Sequence, residues 1–228
     1  MATYRLDRQR SAGRPPKGAA NEPLIRQTIM EKAIEIFAEK GVLATSLKEI
    51  SQRANITTAT LYYHFSSREN LIEETLENLL LPVIEGVWSV ALEIEDPVEM
   101  LQEMRARMLA AANSKPWFLP LWSLELVSES GSLRPILGER VRAVYLNSFL
   151  RKIQIGQASG AINPQLRPEL VFLSLVGLIY TPLLGKKQWE TLCGVSISDD
   201  QALTHIQAMA RHGLGNPPAS SNPKGETT

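Results

Sequence analysis

Residues 57–65 read TTATLYYHF, a stretch in which hydroxyl, phenol and imidazole groups surround Leu61 and Phe65. Threonine hydroxyls can donate to or accept from base edges, and a threonine methyl can contact a thymine methyl. Tyrosine and histidine side chains can bind phosphate oxygens. Each residue also has an ordinary role, since threonines cap helices and paired tyrosines often pack half-buried. The elements that position the stretch decide between these interpretations.

The chain lacks the residue patterns of common catalytic centres. Its three histidines are His64, His205 and His212, and the last two lie on one segment without an acidic or cysteine ligand at metal-binding spacing. The sequence contains no phosphate-binding loop, dinucleotide fingerprint or GxSxG nucleophile turn. We therefore predict that the protein is not an enzyme and binds no metal and no cofactor.

The composition is that of a soluble globular protein. The chain has 228 residues, of which 44% are hydrophobic and 21% charged. The single Cys193 excludes a disulfide within the chain and fits a reducing compartment. The most apolar run, residues 170–185, contains Pro182 and is shorter than the roughly 20 residues that cross a membrane. We predict a buried helix there, no membrane association, and a bacterial cytoplasmic protein that associates with the nucleoid.

The net charge of zero conceals an asymmetry. Residues 1–68 carry 11 Lys and Arg against 6 Asp and Glu, a net of +5, and residues 69–228 carry 13 against 18, a net of −5. A basic N-terminal part is where a polyanion would bind. Chance segregation of charge is the alternative, and charge alone does not decide.

Apolar residues at three- and four-residue steps predict a helix from about residue 22 that ends at Gly41. Ser46 and Glu49 form a possible capping box for a second short helix. Asn55 suits the tight turn that follows, and Thr57 can cap a third helix. Two short helices joined in this way have the layout of a helix-turn-helix, whose second helix enters the major groove.

The rest of the chain also has helical patterns and no convincing strand. We predict an all-α fold, with an N-terminal three-helix helix-turn-helix DNA-binding domain and a larger C-terminal helical domain. Asp96 and Pro97 begin a helix that runs to about residue 113. Later helices are expected at about 134–158, 169–184 and 199–212. The predicted organisation is a flexible basic arm (1–20), the helix-turn-helix domain (21–67), the C-terminal domain (68–214) and a disordered tail (215–228).

Residues 26–72, RQTIMEKAIEIFAEKGVLATSLKEISQRANITTATLYYHFSSRENLI, resemble the N-terminal DNA-binding domain of TetR-type transcriptional regulators. The similarity covers about a fifth of the chain and is carried above all by LYYHF at its spacing after the helix pair. Asn55 stands where the family usually has glycine, and the turn is expected to tolerate it. Ala59 stands where a glycine is common, so the third helix is expected to approach the bases at a different distance.

The resemblance implies roles for individual residues. Groove-facing positions would be Thr57, Thr58, Ala59 and Tyr62, and phosphate-contacting positions would be Thr45, Ser46, Lys48, Tyr63, His64 and Arg68. The family acts as homodimers on pseudo-palindromic double-stranded DNA operators. Most members are repressors, and a small molecule bound in the C-terminal domain releases the DNA. The chain is accordingly expected to be a ligand-responsive, sequence-specific repressor.

The resemblance also predicts that the last two long helices form a four-helix dimer interface. The helix of 169–184 is apolar around its whole circumference, so it needs partners on several sides. The expected interface residues are Leu170, Leu173, Val176, Gly177, Tyr180, Leu203, Ile206 and Met209.

An effector pocket, with ligand-binding by an apolar or aromatic molecule, is expected among the helices of about 97–158, where aromatic and methionine side chains are concentrated. The candidate lining residues are Trp88, Met104, Met108, Trp117, Phe118, Trp122, Glu125, Tyr145 and Phe149. Glu125 would pair with a cationic ligand, or else face solvent or Arg105. The alternative, that these residues form an ordinary core, stays open.

The same helix-turn-helix serves repressors and activators, and a helical adaptor that no longer binds DNA is the competing class. The intact Lys48, Tyr63, His64 and Arg68 argue against the adaptor. The operator, the regulated genes and the effector are not encoded in these patterns.

The arm contains Gly13-Arg14-Pro15-Pro16-Lys17, which resembles the core of an AT-hook. Arg14 would then enter the narrow minor groove of A·T-rich DNA. The alternative is a basic tail that adds only non-specific affinity. If the arm reads the minor groove, deleting residues 1–20 will weaken binding more on operators with A·T-rich flanks than on those with G·C-rich flanks. Equal losses on both operators would contradict minor-groove reading.

Overall fold

A computed structural model describes the backbone of residues 22–214, and side chains throughout that range except at Asp199 and 211–214. The predicted arm with Arg14 and the predicted tail of 215–228 lie outside the described residues. Within 22–214 the chain is helical and contains no β-strand, which confirms the all-α prediction. The α-helices are α1 Glu22–Lys40, α2 Leu47–Arg53, α3 Thr58–His64, α4 Arg68–Thr75, α5 Leu81–Trp88, α6 Val90–Glu93, α7 Pro97–Ser114, α8 Phe118–Trp122, α9 Arg134–Val141, α10 Asn147–Ala158, α11 Pro168–Cys193 and α12 Asp199–Leu214.

Local signals in the sequence set the ends of α1, α2 and α3. Gly41 adopts a φ of 88° after α1, a conformation that glycine reaches without strain. The Ser46 hydroxyl accepts the Glu49 N–H at 3.3 Å, as an N-cap does. The reciprocal half of the predicted capping box is absent, because the Glu49 carboxylate instead pairs with Lys40. Asn55 occupies the left-handed region with a φ of 54°, as the turn between α2 and α3 requires.

A single helical path leads from the N-terminal domain into the C-terminal one. It begins at α4, continues through the π-helical segment Leu76–Leu80, and proceeds directly into α5. Pro82 lies in the first turn of α5, so the preceding wide turn accommodates its missing N–H without ending the path. Similar π-helical segments, Ser123–Val127 and Arg142–Leu146, follow α8 and α9.

The helix α11 is nine residues longer than its predicted end at about residue 184. Pro182 lies inside it without terminating it, and Gly194 ends it with a φ of 66°. The start of α11 lies beside the end of α12, since Leu170 and Met209 line one groove while Trp189 and His205 line another. The two helices are therefore an antiparallel pair.

Buried apolar side chains form one continuous core from α1 to α12. Two stretches of the described chain, Arg68–Glu93 and Pro168–Cys193, are long and apolar enough to cross a membrane by length and composition alone. Half of the most apolar window of the first stretch is already buried inside the molecule. Core helices of soluble proteins meet the same criterion, so the finding is weak evidence for a membrane span.

The cap of α7 yields a prediction for stability. The exposed Asp96 carboxylate accepts the Val98 and Glu99 N–H groups at 3.0 and 2.8 Å, as its place before Pro97 predicts. Asp96→Ala should lower the free energy of unfolding by about 1 kcal/mol, because two N–H groups lose their acceptor. Asp96→Asn, which keeps an acceptor, should remain near wild type in the same denaturant titration. Equal stabilities for the two variants would contradict the capping role.

Candidate nucleic-acid interface

Two fully buried side chains anchor α3 to the rest of the N-terminal domain. Leu61 and Phe65 are both 0% exposed, and they pack with α1 and α2. Arg26 of α1 stacks its guanidinium over the Phe65 ring, 4.5 Å from the centroid. The same guanidinium donates to the His64 carbonyl at the end of α3 and pairs with Glu74 of α4. One arginine thereby fixes the C-terminal end of α3 between two longer helices.

The opposite face of α3 is free. Thr58 and Ala59 are exposed, and Tyr62 and Tyr63 retain 53% and 73% of their accessible surface. Tyrosine side chains that are exposed to this extent contribute little to packing within their own chain. The structure thus brings together on one surface the residues that the sequence assigned to groove contacts. Thr57 stands at the start of this surface as the N-cap, accepting the Thr60 N–H at 3.0 Å.

The hydrogen bonds around Thr58 decide whether its hydroxyl acts as a donor or an acceptor toward solvent. The buried Ser51 hydroxyl donates to the Lys48 carbonyl at 2.9 Å. Ser51 lies 3.3 Å from the Thr58 hydroxyl, so its free lone pairs accept the Thr58 hydrogen. Thr58 therefore offers solvent a hydrogen-bond acceptor and a methyl group. An adenine or cytosine amino group and a thymine methyl are the complementary base-edge features.

The predicted phosphate contacts divide into two groups. Ser46 and Lys48 are exposed at the start of α2, and His64 meets the edge of Tyr63 with ring centroids 5.1 Å apart. Thr45 is only 4% exposed and donates its hydroxyl to the Gly41 carbonyl at 2.8 Å. Its side chain is therefore structural, and the prediction of a phosphate contact through that side chain is corrected.

Arg68 also takes a structural role in place of the predicted phosphate contact. Its guanidinium donates to the Val42 carbonyl at 2.7 Å and to the Thr45 carbonyl at 3.3 Å. The charge thus holds the loop between α1 and α2 against the start of α4. Sequence reasoning missed this role because it depends on carbonyl groups 23 and 26 residues away.

Glu22 is a residue that sequence reasoning missed. The Tyr63 hydroxyl donates to its carboxylate at 2.9 Å, and this hydrogen bond raises the pKa of Tyr63. A carboxylate beside a proposed phosphate contact opposes a phosphate group electrostatically. Tyr63 must exchange Glu22 for phosphate if it contacts DNA.

The predicted pocket residues pack mostly as core. Met104, Met108, Phe118 and Phe149 are at most 1% exposed, and Trp88 and Tyr145 at most 9%. These six side chains therefore pack as core in this conformation. Trp88 stacks on Phe172 at 4.1 Å and meets Phe149 at 5.6 Å. Phe172 lies on α11, outside the segment in which the pocket was predicted.

A second aromatic cluster consists of Trp117, Phe118, Trp122 and Tyr180. Trp122 and Tyr180 have ring centroids 5.5 Å apart, and Phe118 lies 5.7 Å from Tyr180. Burial raises the pKa of Tyr180. The Trp122 indole N–H is buried and has no hydrogen-bond partner among the described residues. A buried donor of this kind gains from a hydrogen-bond acceptor placed beside it.

The Glu125 prediction requires a further correction. Its side chain is 4% exposed and faces neither solvent nor a site for a cationic ligand. One carboxylate oxygen accepts the Val42 N–H at 2.7 Å, and the other accepts the Ser132 N–H and hydroxyl at 2.8 and 2.9 Å. Its lone pairs are directed at groups of the protein itself.

The predicted dimer residues also divide by exposure. Leu170, Leu173 and Met209 are 51%, 63% and 52% exposed, and Gly177 is exposed on the same side of α11. The remaining four face inward, so their assignment to a partner's surface is corrected: Val176 and Tyr180 are at most 6% exposed, Ile206 is 0% exposed and Leu203 is half-buried. The inward group holds α11 and α12 to the core of their own chain.

A family model described as bacterial regulatory proteins of the tetR family matches residues 29–75, the segment from α1 to the end of α4. This match confirms the resemblance of the N-terminal domain to TetR-type regulators. The chain's relatives are named as transcriptional regulators, and proteins of this family bind DNA operators as dimers and respond to small-molecule effectors. The similarity is therefore to helix-turn-helix DNA-binding transcriptional regulators.

Relatives extend this similarity over most of the chain. The HTH-type transcriptional repressor NicS of Pseudomonas putida is 26% identical over 200 residues, which cover 83% of this chain and 92% of that protein. The regulator SrpR of Pseudomonas putida is 27% identical over 82% of this chain and 88% of its own length. The structure of the ketosteroid regulator KstR2 of Mycobacterium tuberculosis shares the fold, with a TM-score of 0.62 at 20% identity over 83% of this chain and 94% of that one.

The contact between Glu22 and Tyr63 generates a prediction. Glu22→Gln should tighten operator binding by about two- to fivefold, the range expected for one exposed charge interaction, because it removes a carboxylate that opposes phosphate. The measurement is operator affinity by fluorescence anisotropy at fixed salt. Glu31→Gln, a change of the same charge on the same helix, is the control. An unchanged or weaker affinity of Glu22→Gln would exclude competition between Glu22 and phosphate.

Proposed function

We propose that the protein is a repressor that binds a pseudo-palindromic operator as a homodimer and is released by a small apolar or aromatic effector. The observation that carries the proposal is the exposed surface of α3, on which Thr58, Ala59, Tyr62 and Tyr63 lie opposite two buried anchors. Inserted into the major groove, Thr58 and Tyr62 would meet base edges. Tyr63, His64, Lys48 and Ser46 would hold the flanking phosphates.

The exposed faces of α11 and α12 support a homodimer. Leu170, Leu173 and Met209 expose apolar surface on an antiparallel helix pair, and Gly177 offers a point of close approach. An open groove of about 480 Å³ lies within this surface, lined by Leu170 and Met209, and a second of about 680 Å³ lies further along the helix pair. Packing against a second copy would bury these apolar groups and form a four-helix interface. The two-fold axis would present two α3 helices to successive major grooves, about 34 Å apart.

The effector would bind beside the half-buried Trp117 and Trp122, at the edge of the aromatic cluster whose Phe118 and Tyr180 rings are buried. Ring faces offer apolar contacts, and the unpaired Trp122 N–H offers one donor. A planar molecule with a carbonyl, hydroxyl or carboxylate acceptor satisfies both features. The Trp122→Phe variant tests this assignment. It should bind the operator as wild type does, but the effector should no longer release it from the operator, and quenching of its tryptophan fluorescence by the effector should be weaker.

The relatives' names as HTH-type transcriptional repressors support placing the protein in the bacterial cytoplasm, bound to the nucleoid. The boundary between the proposed domains at residues 67 and 68 lies at the start of α4, whose path enters the C-terminal domain. The contact of Arg14 with the minor groove remains part of the proposal. The relatives named as repressors disfavour an adaptor or an activator.

The direct test is selection of random duplex DNA on the purified protein at about physiological salt, where non-specific phosphate binding is suppressed. A recovered inverted repeat is the expected result. A protein with both Tyr63→Ala and His64→Ala should lose that repeat while keeping its helical circular-dichroism spectrum and melting temperature. Failure to enrich any sequence at several salt concentrations, with and without candidate effectors, would overturn the proposed function.

The dimer proposal makes a separate prediction. Leu173→Glu should convert the dimer to a monomer, because two carboxylates would be buried at the two-fold axis. Operator affinity should fall on the order of a hundredfold or more, since the linked second half-site is lost. Sedimentation velocity and anisotropy measure the two effects.

The control for this experiment is Ile136→Glu, which places the same charge at a 58% exposed aliphatic position on α9. This variant should remain dimeric and bind the operator as wild type. A dimeric Leu173→Glu protein would show that the two copies meet elsewhere.

A further inference from the structure

Besides the contacts that Arg68 and Glu74 of α4 make, one hydrogen bond reaches the helix-turn-helix domain from the segment after α8. It joins the Glu125 carboxylate, in the π-helical segment after α8, to the Val42 N–H, 83 residues away, at 2.7 Å. Val42 is 3% exposed and lies in the loop of 41–46 that leads into α2. A buried charged acceptor on a backbone N–H is among the stronger protein hydrogen bonds. The contact is therefore a specific point of attachment between the two domains.

The geometry on both sides of this contact is closely fitted. A Cβ added at Gly41 would lie 3.1 Å from the Glu125 carboxylate, so a larger residue there would press on the acceptor. A Cβ added at Gly131 would lie 2.2 Å from the Glu125 carbonyl oxygen, so the turn that presents Ser132 can close only with glycine. Ser132 then supplies two donors to the second carboxylate oxygen. Two glycines permit the approach, and Ser132 fixes the orientation of the carboxylate.

The Val42 peptide is also held from its other side. Its carbonyl accepts from the Arg68 guanidinium at 2.7 Å, at the beginning of α4. The loop of 41–46 is thus clamped between Glu125 and Arg68, and this loop supplies Ser46, the N-cap of α2. The preceding helix α8 runs directly into this segment, and its residues Phe118 and Trp122 contact Tyr180 of α11. A displacement of that segment would reach the helix-turn-helix through Glu125.

We propose that Glu125 is the positioning residue that sets the orientation of the helix-turn-helix relative to the dimerisation domain. The inference rests on the proposed function, because orientation matters only if two helix-turn-helix units bind one operator. Operator binding requires a fixed distance between the two α3 helices, about one DNA turn. Holding Val42 restricts that distance. If the contact is lost, the two α3 helices can take a wider range of separations, and the protein then discriminates less between operators of different spacing.

The positioning role is tested by how strongly the protein discriminates between operators whose half-sites are differently spaced, a property that a loss of stability alone would not change. Operator affinity is measured for the selected inverted repeat and for versions with one base pair added to or removed from its centre. Wild type should discriminate strongly between them. Glu125→Gln replaces one carboxylate oxygen with an amide NH₂ that cannot accept from Ser132 or Val42. Discrimination by this variant should fall about tenfold, within the usual range of coupling between sites.

Controls separate this effect from general destabilisation. Glu93→Gln changes a glutamate that pairs with Arg107 inside the C-terminal domain, and its spacing discrimination should match wild type. Binding of an isolated half-site should be unchanged in Glu125→Gln, because the surface of α3 is intact. Ser132→Ala removes one donor to the same carboxylate and should lower discrimination in the same direction by a smaller factor.

The outcomes are distinct. If wild type selects no inverted repeat, the proposed function fails before Glu125 is tested. If wild type selects a repeat and Glu125→Gln keeps full spacing discrimination, the positioning role is overturned. If Glu125→Gln does not fold, Ser132→Ala decides, and wild-type discrimination by that variant overturns the role.

Discussion

The arrangement of the N-terminal domain depends on the burial of Leu61 and Phe65 against α1 and α2. A helix of seven residues is not stable alone in water, so α3 exists because these two side chains are removed from solvent and because Arg26 holds its C-terminal end. The two anchors lie one turn apart on one face. Every other side chain of the helix is consequently free to be polar, which makes a DNA-reading surface compatible with a stable fold.

The need to bury apolar side chains also determines the arrangement of the C-terminal domain. The helix α11 is apolar around its circumference, and its inner face is satisfied by the core through Val176, Ile179 and Tyr180. Its outer face, with Leu170 and Leu173, has no partner within the described chain. A second copy of the chain supplies the missing cover in our account. Dimerisation then follows from the need to bury that face, and the symmetry of the operator follows from dimerisation.

Much of the fold follows from local sequence patterns, because caps and periodicity act within a few residues. Asp96, Thr57 and Asn55 take their predicted roles. The roles that the sequence did not predict belong to residues whose partners are distant in the chain. Arg68 and Glu125 bind backbone groups of the loop of 41–46, and no local pattern encodes a carbonyl or an N–H as a partner. The sequence also did not separate the α11 residues that face the core from those that face outward, because a helix that is apolar on all sides has no periodicity by which to orient it. The assignment of α3 to base contacts remains a prediction supported by its exposure.

The most direct test of that assignment is to repeat the DNA selection with Tyr62→Ala and compare its preferred sequence with that of wild type. A residue that reads a base should change the preference at one position in each half-site, symmetrically, and leave the other positions unchanged. A protein in which Tyr62 contacts only phosphate, or does not contact DNA, would return the wild-type sequence. That second result would contradict the claim that the exposed face of α3 carries the specificity.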